Sequence, residues 1–234
     1  MVGTLKLLRR MRSSLTNRKS KYNLNYNLFN KDLHSEKTYY LLGYLYSDGN
    51  INKNKGQITI VSKDEEIIKK LSLIIGNLPI KEYTKGYFTL TWYSKQHITE
   101  LENLGCTENK SLVLKYPLFL NKKLEHHFIR GYFDGDGSVG LYERKGKDRR
   151  PSKVLKLSIA GTEDVLVKIK DFINNKGTVC NNKNIKVLYY SGNKSVINFC
   201  EIIYKDSTIF MERKFDIIKG FIPYRYFIDN KIEV

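Results

Sequence analysis

Two short segments of the chain each place an aspartate among small residues directly after an apolar run. They are YYLLGYLYSDGNI (residues 39–51) and HFIRGYFDGDGSV (residues 127–139), and they align without gaps. Asp48 of the first then falls opposite Asp136 of the second. Carboxylates are hard oxygen ligands that suit Mg²⁺, with water and phosphate oxygens completing its octahedron. A pair of such ions on a phosphodiester would activate a water molecule and stabilise the leaving oxygen. The two aspartates therefore suggest metal-dependent phosphodiester cleavage.

The apolar run before each aspartate is predicted to be a helix with a stripe of small residues. Gly43 and Ser47 are four residues apart, and so are Gly131 and Gly135. At 3.6 residues per turn each pair lies on one face of a helix, which lets two helices approach closely. We expect the two helices to pack along these stripes about a pseudo-twofold axis. This packing would bring the two aspartates side by side at the same end of both helices.

The rest of the chain repeats as well. ITIVSKDEEIIKKL (58–71) aligns with LSIAGTEDVLVKIK (157–170), and CTENKSLVL (106–114) aligns more weakly with FMERKFDII (210–218). Each copy reads as helix, strand, strand, helix, strand, strand, helix, and the strands alternate apolar and polar residues. One face of each sheet is therefore expected to be core and the other polar.

These patterns predict an α+β fold class. The expected architecture is two pseudo-symmetric αββαββα units, packed through their motif helices, with antiparallel sheets that form a saddle. The predicted domains are a basic N-terminal arm over residues 1–35, a first unit over 36–119, and a second unit with a C-terminal tail over 120–234.

The charge of the chain indicates a polyanionic partner. The sequence has 41 Lys and Arg against 24 Asp and Glu, a net charge of +17. Such an excess is typical of nucleic-acid-binding proteins, and the polar sheet faces could read a duplex. A generic basic protein with solvated sheet faces is the alternative, and an anionic membrane surface is a weaker one. With no run of 18 apolar residues, no membrane partner is expected.

Cysteine and histidine usage argues against a disulfide framework or a zinc site. The three cysteines are far apart and odd in number. His126 and His127 are adjacent and have no partner at ligand spacing. We expect an intracellular reducing compartment, such as a bacterial or phage-infected cytoplasm or an organelle matrix.

The first 22 residues contain seven Lys and Arg and no acid. One reading is an arm that adds phosphate contacts, which do not depend on DNA sequence. The other is an organellar transit peptide. The arm is favoured because the basic character continues without a cleavage-like break.

The segments LLGYLYSDG (41–49) and IRGYFDGDG (129–137) resemble the two helix motifs of the LAGLIDADG homing endonucleases, in their single-chain, two-motif form. The resemblance covers residues 36 to 220, including the spacing between the motifs. It implies a monomeric enzyme, intron-encoded or from a free-standing gene, in which the last acidic residue of each motif binds metal, here Asp48 and Asp136. The cofactor would be Mg²⁺, with Mn²⁺ able to substitute.

The resemblance also implies basic residues near the metal-bound water. Lys110 and Lys214 are the matching candidates for catalytic residues, and Lys63 is a third. The sixth position of the motif is Tyr46 in the first copy and Asp134 in the second. Because one copy has a tyrosine there, Asp134 is not expected to be an essential metal ligand.

Candidate DNA contacts are found by counting alternate positions along each strand from the two aspartates. Alternate side chains of a strand lie on the same face of the sheet. Asn and Gln can pair with adenine and Arg with guanine in the major groove, while Lys more often meets phosphate. The predicted contacts are Asn50, Asn52, Asn54, Gln57, Thr59, Lys81, Tyr83 and Lys85 in the first copy, and Ser138, Tyr142, Arg144, Lys156 and Ser158 in the second.

The function implied is site-specific cleavage of double-stranded DNA at a long asymmetric target, leaving 3′ overhangs. One alternative is an intron maturase that binds its own intron RNA. Another is a DNA-binding protein of the same fold that does not cut. Both motif aspartates are present, which favours the nuclease.

Overall fold

The chain forms two units with the same order of elements, each built around one antiparallel sheet. The computed structural model describes residues 22–30, 35–146, 149–174 and 176–222, with the backbone alone at residues 145, 146 and 149–151. None of the helices in these ranges is long and apolar enough to cross a lipid bilayer.

The first unit begins with a capped helix. Ser35 Oγ accepts a hydrogen bond from the backbone N–H of Thr38, and the Thr38 hydroxyl lies in turn against the Ser35 backbone N–H. This reciprocal cap satisfies two N–H groups at the start of the helix. The elements of this unit are α1 (Glu36–Asp48), β1 (Gly49–Asn52), β2 (Gln57–Ser62), α2 (Glu65–Ile75), β3 (Ile80–Thr84), β4 (Tyr87–Tyr93), α3 (Lys95–Asn103) and a short 3₁₀ turn (Lys110–Leu112).

The second unit repeats this order and ends in an additional full helix. Its elements are α4 (Glu125–Asp136), β5 (Gly137–Gly146), β6 (Arg149–Gly161), α5 (Glu163–Ile173), β7 (Thr178–Asn182), β8 (Ile185–Ser191), α6 (Asn193–Ile203) and α7 (Glu212–Lys219). The aligned segments near residues 110 and 214 therefore differ: the first is a 3₁₀ turn and the second is a helix.

The two sheets have the same strand order. The first is β1-β2-β4-β3 and the second is β5-β6-β8-β7, and all neighbouring strands are antiparallel. In each sheet one face packs under the helices, as Ile58 and Ile60 of β2 do in the first unit. We call the opposite face, which carries Asn50 and Thr59 in the first unit, the open face. The predicted α+β fold, with one core face and one polar face per sheet, is confirmed.

The two units meet along α1 and α4, and the glycines of the motifs set the distance between these two helices. A Cβ added to Gly43 would lie 2.0 Å from the carbonyl oxygen of Phe128. Reciprocally, a Cβ added to Gly131 would lie 2.0 Å from the carbonyl oxygen of Tyr40. Real Cβ atoms do not approach backbone oxygen so closely, so only glycine allows this helix pair. The predicted stripe of small residues is therefore the contact line between the two units.

Residues 22–30 pack against the first unit and add three buried side chains to its core, within the range 1–35 that the sequence suggested as a basic arm. Leu28 and Phe29 are 1% exposed, and the ring of Phe29 packs edge-on against His97. The backbone N–H of Asn25 donates to the carbonyl oxygen of Ile75 at the end of α2. The rest of the predicted arm, residues 1–21 and 31–34, lies outside the described residues.

A buried ion pair joins the start of α1 to the middle of α4. Arg130 is fully buried, and its guanidinium donates to Glu36 Oε1 at 2.6 Å. The same guanidinium donates to the carbonyl oxygens of Ile203 and Ile209. Glu36 also accepts hydrogen bonds from the backbone N–H and hydroxyl of Thr208. Because each charged atom has partners, the pair can remain ionised inside the protein.

We expect Gly131→Ala to destabilise the protein by about 2 kcal/mol or more. The added Cβ would overlap backbone atoms of α1, and overpacking of this kind outweighs the better helix propensity of alanine. Urea denaturation of the purified protein measures the change. The control is Gly220→Ala, where a Cβ meets no atom within 4 Å and φ is −69°. Equal stability of the two variants would contradict the close helix contact.

We expect Glu36→Gln to lower the free energy of unfolding by about 3 kcal/mol. The substitution leaves the buried Arg130 charge without an anionic partner, which is costly in protein interiors. The control is Glu65→Gln, which breaks the exposed pair between Glu65 and Lys69. Exposed helix pairs contribute under about 1 kcal/mol. Similar losses in both variants, measured by urea denaturation, would contradict a special role for the buried pair.

Candidate active site

The two motif aspartates are the last residues of the two interface helices. α1 ends at Asp48 and β1 begins at Gly49, and α4 ends at Asp136 and β5 begins at Gly137. A Cβ at Gly49 would lie 2.5 Å from the carbonyl oxygen of Leu45, and Gly137 has an equivalent contact. Glycine therefore lets each strand leave its helix end without a clash. Both carboxylates are thereby fixed where an open face begins.

The carboxylates are close together because the stripe ends in small residues. Gly135 lies against the other helix end, and a Cβ there would be 1.9 Å from Ser47 Oγ and 3.4 Å from Asp48 Cγ. Ser47 Oγ donates back to the carbonyl oxygen of Tyr44 at 2.9 Å, which holds the hydroxyl against its own helix. The structure therefore brings the two predicted ligands together at the pseudo-twofold axis.

The surroundings favour the protonated forms of both carboxyl groups. Both aspartates are exposed, but the protein around them removes part of their hydration, and this raises the pKa of Asp48. The same loss of hydration and the negative charge of Asp48 raise the pKa of Asp136 to about 6. Repulsion between neighbouring carboxylates at helix C-termini is a known cause of such shifts. A cation between the two groups would relieve this repulsion.

Two buried lysines lie beside the aspartate pair. Lys110 is 7% exposed, and its ammonium donates to the carbonyl oxygen of Gly49. Lys214 is 2% exposed and donates to the carbonyl oxygens of Phe133 and Asp134, each at 2.7 Å. The positive charges of both lysines act to lower the pKa of Asp48. They therefore oppose the loss of hydration and support the ionised carboxylates.

The two lysines lie in different kinds of element and make different contacts, so the pseudo-twofold symmetry does not extend to them. Lys110 lies in the 3₁₀ turn and contacts the residue after Asp48, whereas Lys214 lies in α7 and contacts residues before Asp136. Burial lowers the pKa of Lys214 to about 8. The third candidate, Lys63, has its ammonium 5.0 Å from the centroid of the Tyr87 ring and is exposed. Unlike the other two lysines, it is exposed and lies against a tyrosine ring.

Asp134 faces the interior and not the aspartate pair. It is 1% exposed, and its Oδ2 accepts hydrogen bonds from the Tyr40 hydroxyl at 2.7 Å and the Met211 N–H at 2.9 Å. Tyr46, its counterpart in the first copy, donates to the carbonyl oxygen of Leu104. Tyr46 thus links α1 to the segment that leads to Lys110. Asp134 links α4 to the segment that leads to Lys214. The expectation that Asp134 is not a ligand agrees with this placement.

The donor set at the site fits a divalent ion that keeps much of its water. Within the described ranges, no cluster of three or more His, Cys, Asp or Glu side chains is suited to hold a metal. Asp48 and Asp136 supply hard oxygen donors, and both are exposed on one side. Mg²⁺ in proteins is often bound by one or two carboxylates, with water and substrate phosphate completing the octahedron. The residues present therefore fit Mg²⁺ but not zinc.

The predicted DNA contacts of the first copy lie on its open face or at its turns. Asn50 pairs with Thr59 and Asn52 pairs with Gln57, so these four side chains share one face. Lys81 pairs with Thr89 on the same face. The other predicted contacts lie at a strand irregularity or in turns, and all are exposed: Tyr83, Asn54 and Lys85.

The predicted contacts of the second copy all lie on one open face. Ser138 pairs with Ser158, and Tyr142 and Arg144 follow at alternate positions of β5. The ammonium of Lys156 lies 5.0 Å from the centroid of the Tyr142 ring. The alternate positions counted from the aspartates therefore lie on the open face, as the sequence predicted. Contact of these side chains with DNA stays a prediction.

The list of candidate DNA contacts left out several open-face residues on β4, β7 and β8. Thr91 Oγ1 lies 3.3 Å from Thr59 Oγ1, which continues the row of polar groups onto β4. The pairing of Tyr189 with Ser158 extends the second open face in the same way. The alternation within YFTLTWY already contained this signal. The missed residues are Tyr87, Thr89, Thr91 and Tyr93 in the first unit, and Thr178, Tyr189 and Ser191 in the second.

Comparison with known proteins agrees with this geometry. Residues 35–104 match the model of the LAGLIDADG-like domain family. A 121-residue region is 29% identical to part of the replication factor C small subunit of Methanocaldococcus jannaschii, and covers 49% of this chain and 7% of that protein. A 107-residue region is 29% identical to part of the RNA polymerase subunit Rpo1C of the same organism, and covers 43% of this chain and 12% of that protein. The chain thus spans only a small part of these relatives.

Solved structures match over most of the chain. A variant of I-SmaMI with two lysines replaced by alanine has a TM-score of 0.58 at 11% identity, over 82% of this chain and 92% of that one. The LAGLIDADG meganuclease I-AabMI, bound to uncleaved DNA, has a TM-score of 0.57 at 12% identity, over 78% and 88%. The LAGLIDADG homing endonuclease I-SmaMI bound to cleaved DNA has a TM-score of 0.57 at 10% identity, over 82% and 94%. Residues 35–104 are therefore similar to the LAGLIDADG-like domain, and the chain has the two-unit fold of the meganucleases I-SmaMI and I-AabMI.

Proposed function

We propose that the chain is a site-specific endonuclease that cuts both strands of duplex DNA with the help of Mg²⁺. The observation that carries this proposal is the adjacent pair Asp48 and Asp136, placed where two polar open faces meet. Structures of I-SmaMI with cleaved DNA, and with uncleaved DNA in the presence of calcium ions, have the same fold. Both support the transfer of this activity to the chain.

The two open faces would hold the duplex across the aspartate pair. Their polar side chains can reach base edges, and the net charge of +17 favours binding to phosphate. Because one chain supplies both units, it acts as a monomer on an asymmetric target. The pseudo-twofold axis relates one cleavage position to each strand, and we propose staggered cuts that leave 3′ overhangs.

The residues around the scissile phosphates have separate roles. Asp48 and Asp136 would hold the metal ions, and Mn²⁺ would be accepted in place of Mg²⁺. When bound, the ions supply an activated water and neutralise charge on the leaving oxygen. Lys110 and Lys214 hold positive charge beside the carboxylates, which would otherwise repel the phosphodiester. The carbonyl oxygens that they contact keep both ammonium groups fixed.

We expect Asp48→Asn and Asp136→Asn each to lower the rate of DNA cleavage by at least about 10³-fold. The loss of a metal ligand removes several kcal/mol of transition-state stabilisation. The target is first obtained by cleavage selection from a random DNA library in Mg²⁺, with the ends mapped. Rates on this target are then measured under single-turnover conditions.

The matched control for this test is Asp171→Asn, an exposed carboxylate on α5. Its cleavage rate should equal that of the wild type. Binding of the target by the two motif variants, measured in Ca²⁺, should stay within a few-fold of the wild-type value. Normal cleavage by both motif variants would refute the proposed function.

The metal-free protein offers a test that does not depend on cleavage. The pKa of Asp136 is about 6 in the folded state against 3.8 for an ordinary aspartate. The folded state therefore holds more protons than the unfolded state between these values, and the free energy of unfolding falls as the pH rises from about 4 to about 6. Asp136→Asn removes this contribution. We expect the variant to gain stability relative to the wild type across this window and to keep that gain above pH 7.

Urea denaturation in EDTA at a series of pH values measures this difference. Addition of Mg²⁺ above pH 7 should then stabilise the wild type and not the double variant Asp48→Asn, Asp136→Asn, because only a folded site binds the ion. Asp171→Asn should follow the wild type in both measurements. Parallel pH curves for the wild type and Asp136→Asn would contradict the raised pKa of Asp136.

A further inference from the structure

The two units differ most in the length of their first hairpins. β1 and β2 have 4 and 6 residues, whereas β5 and β6 have 10 and 13. In the first unit the Ser94 N–H donates to the carbonyl oxygen of Gly56, in the turn of the hairpin. In the second unit the equivalent bond joins Gly192 to Leu155, and the strands continue beyond it. We call residues 142–146 of β5, with the residues of β6 that pair with them, the hairpin extension.

The hairpin extension projects from the body of the second unit. Leu141, at its base, is on the core side of the sheet and is nevertheless 39% exposed. Glu143 and Lys153 pair with each other on this same side and are both exposed. On the other side, Tyr142 and Arg144 continue the open face and are exposed as well. Because the described side chains on both sides are exposed, this part of the hairpin is available to contact a partner.

A polar groove lies beside the base of the extension. It has a volume of about 840 Å³, and its lining includes Lys176, Thr178, Tyr189, Ser191 and Lys194. Ser191 pairs with Lys156, and Tyr189 pairs with Ser158, so the groove is continuous with the open face. Among the described residues, no acidic side chain lines it. The groove and the extension therefore form one basic surface at the outer end of the second unit.

In the first unit, residues 22–30 of the chain lie over the equivalent position. The carbonyl oxygen of Asn25 lies 3.1 Å from His97 Nε2, and Gln96 Nε2 donates to the carbonyl oxygen of Tyr26. These contacts seat residues 22–30 over the start of α3. Ser94 Oγ also accepts the backbone N–H of His97, which caps α3. At the start of α6 the equivalent residue is Gly192, which has no side chain to act as a cap.

The chemistry of the basic surface suits the DNA backbone. Lys176 and Lys194 are ammonium donors, and the hydroxyl groups of Thr178 and Ser191 lie in the same lining. Lysines, hydroxyl groups and helix N-termini are the protein groups that most often contact phosphate. Arg144 on the extension can contact a base edge or a phosphate.

We propose that the second unit contacts the duplex farther from the aspartate pair than the first unit does, so that the bound DNA is longer on one side. This inference rests on the proposed function. The five residues of β5 after Leu141 span about 16 Å at 3.3 Å per residue. At 3.4 Å per base pair this corresponds to up to about five additional base pairs. The groove holds the backbone phosphates that flank them.

The test measures binding to a duplex trimmed in steps from either end. The wild-type protein first selects its duplex from a random library by binding in Ca²⁺, which does not require cleavage. Affinities are then measured for the full duplex and for each trimmed form. We expect removal of the outermost three to five base pairs at one end to weaken binding, and removal of the same number at the other end to have no effect.

Two variants identify the sensitive end. Arg144→Gln alters the hairpin extension and Lys194→Gln alters the groove. Each should weaken binding of the full duplex roughly fivefold at 0.15 M salt. Each should also reduce the steepness of the plot of log affinity against log salt concentration by about 0.9. Trimming at the sensitive end should then cause little further loss. The control, Lys168→Gln, removes an exposed charge from α5 on the covered side of the sheet and should match the wild type.

The outcomes separate this inference from the proposed function. Equal sensitivity at both ends, with tight binding of the full duplex, overturns this inference alone. Loss of affinity in Lys168→Gln as large as in Lys194→Gln also overturns it, because the charge effect would then be non-specific. Failure of the wild type to bind any DNA overturns both proposals.

Discussion

The close approach of α1 and α4 is the constraint on which the rest of the structure depends. At Gly43 and Gly131 the backbone of one helix occupies the space that a side chain would need on the other. This contact fixes the distance between the two units, and with it the separation of their sheets. It also places Asp48 and Asp136 against each other at the helix ends. The chemistry of the candidate site therefore follows from the packing of two backbones.

The pseudo-symmetry is strict along this contact and breaks around it. Tyr46 and Asp134 occupy equivalent positions, but one is a phenol and the other a buried carboxyl group. Asp134 accepts the backbone N–H of Met211 directly before α7, and so helps to position Lys214. The Glu36 and Arg130 pair holds Ile209 of the same segment. The second lysine is thus placed by contacts within its own unit and across the unit interface, while the first is placed by its own unit.

Much of this fold is encoded locally, which is why the sequence predicted it well. Strand alternation, helix periodicity and the two repeated motifs predict the order of helices and strands in the first unit up to α3. The pairing of Asp48 with Asp136 was also predictable, because the small-residue stripes specify which helix faces meet. Neither prediction required knowledge of long-range contacts beyond the internal repeat.

Other features depend on tertiary contacts that no local pattern reports. The packing of Leu28 and Phe29 in the core was missed, because a short apolar group after a basic stretch does not indicate its partner. The buried charge of Arg130 and the reduced pKa of Lys214 arise from the surroundings and not from the neighbours in sequence.

The helix contact also has a consequence for the order of events during synthesis. Every residue of α1 from Tyr39 to Tyr46 is buried, and much of this burial is against α4. Gly43 leaves the ribosome 88 residues before Gly131. At about 5–20 residues per second, α1 must wait roughly 4–18 s for its partner. During that interval the nascent first unit presents an apolar helix surface, and its protection from aggregation depends on the cell until the second copy emerges.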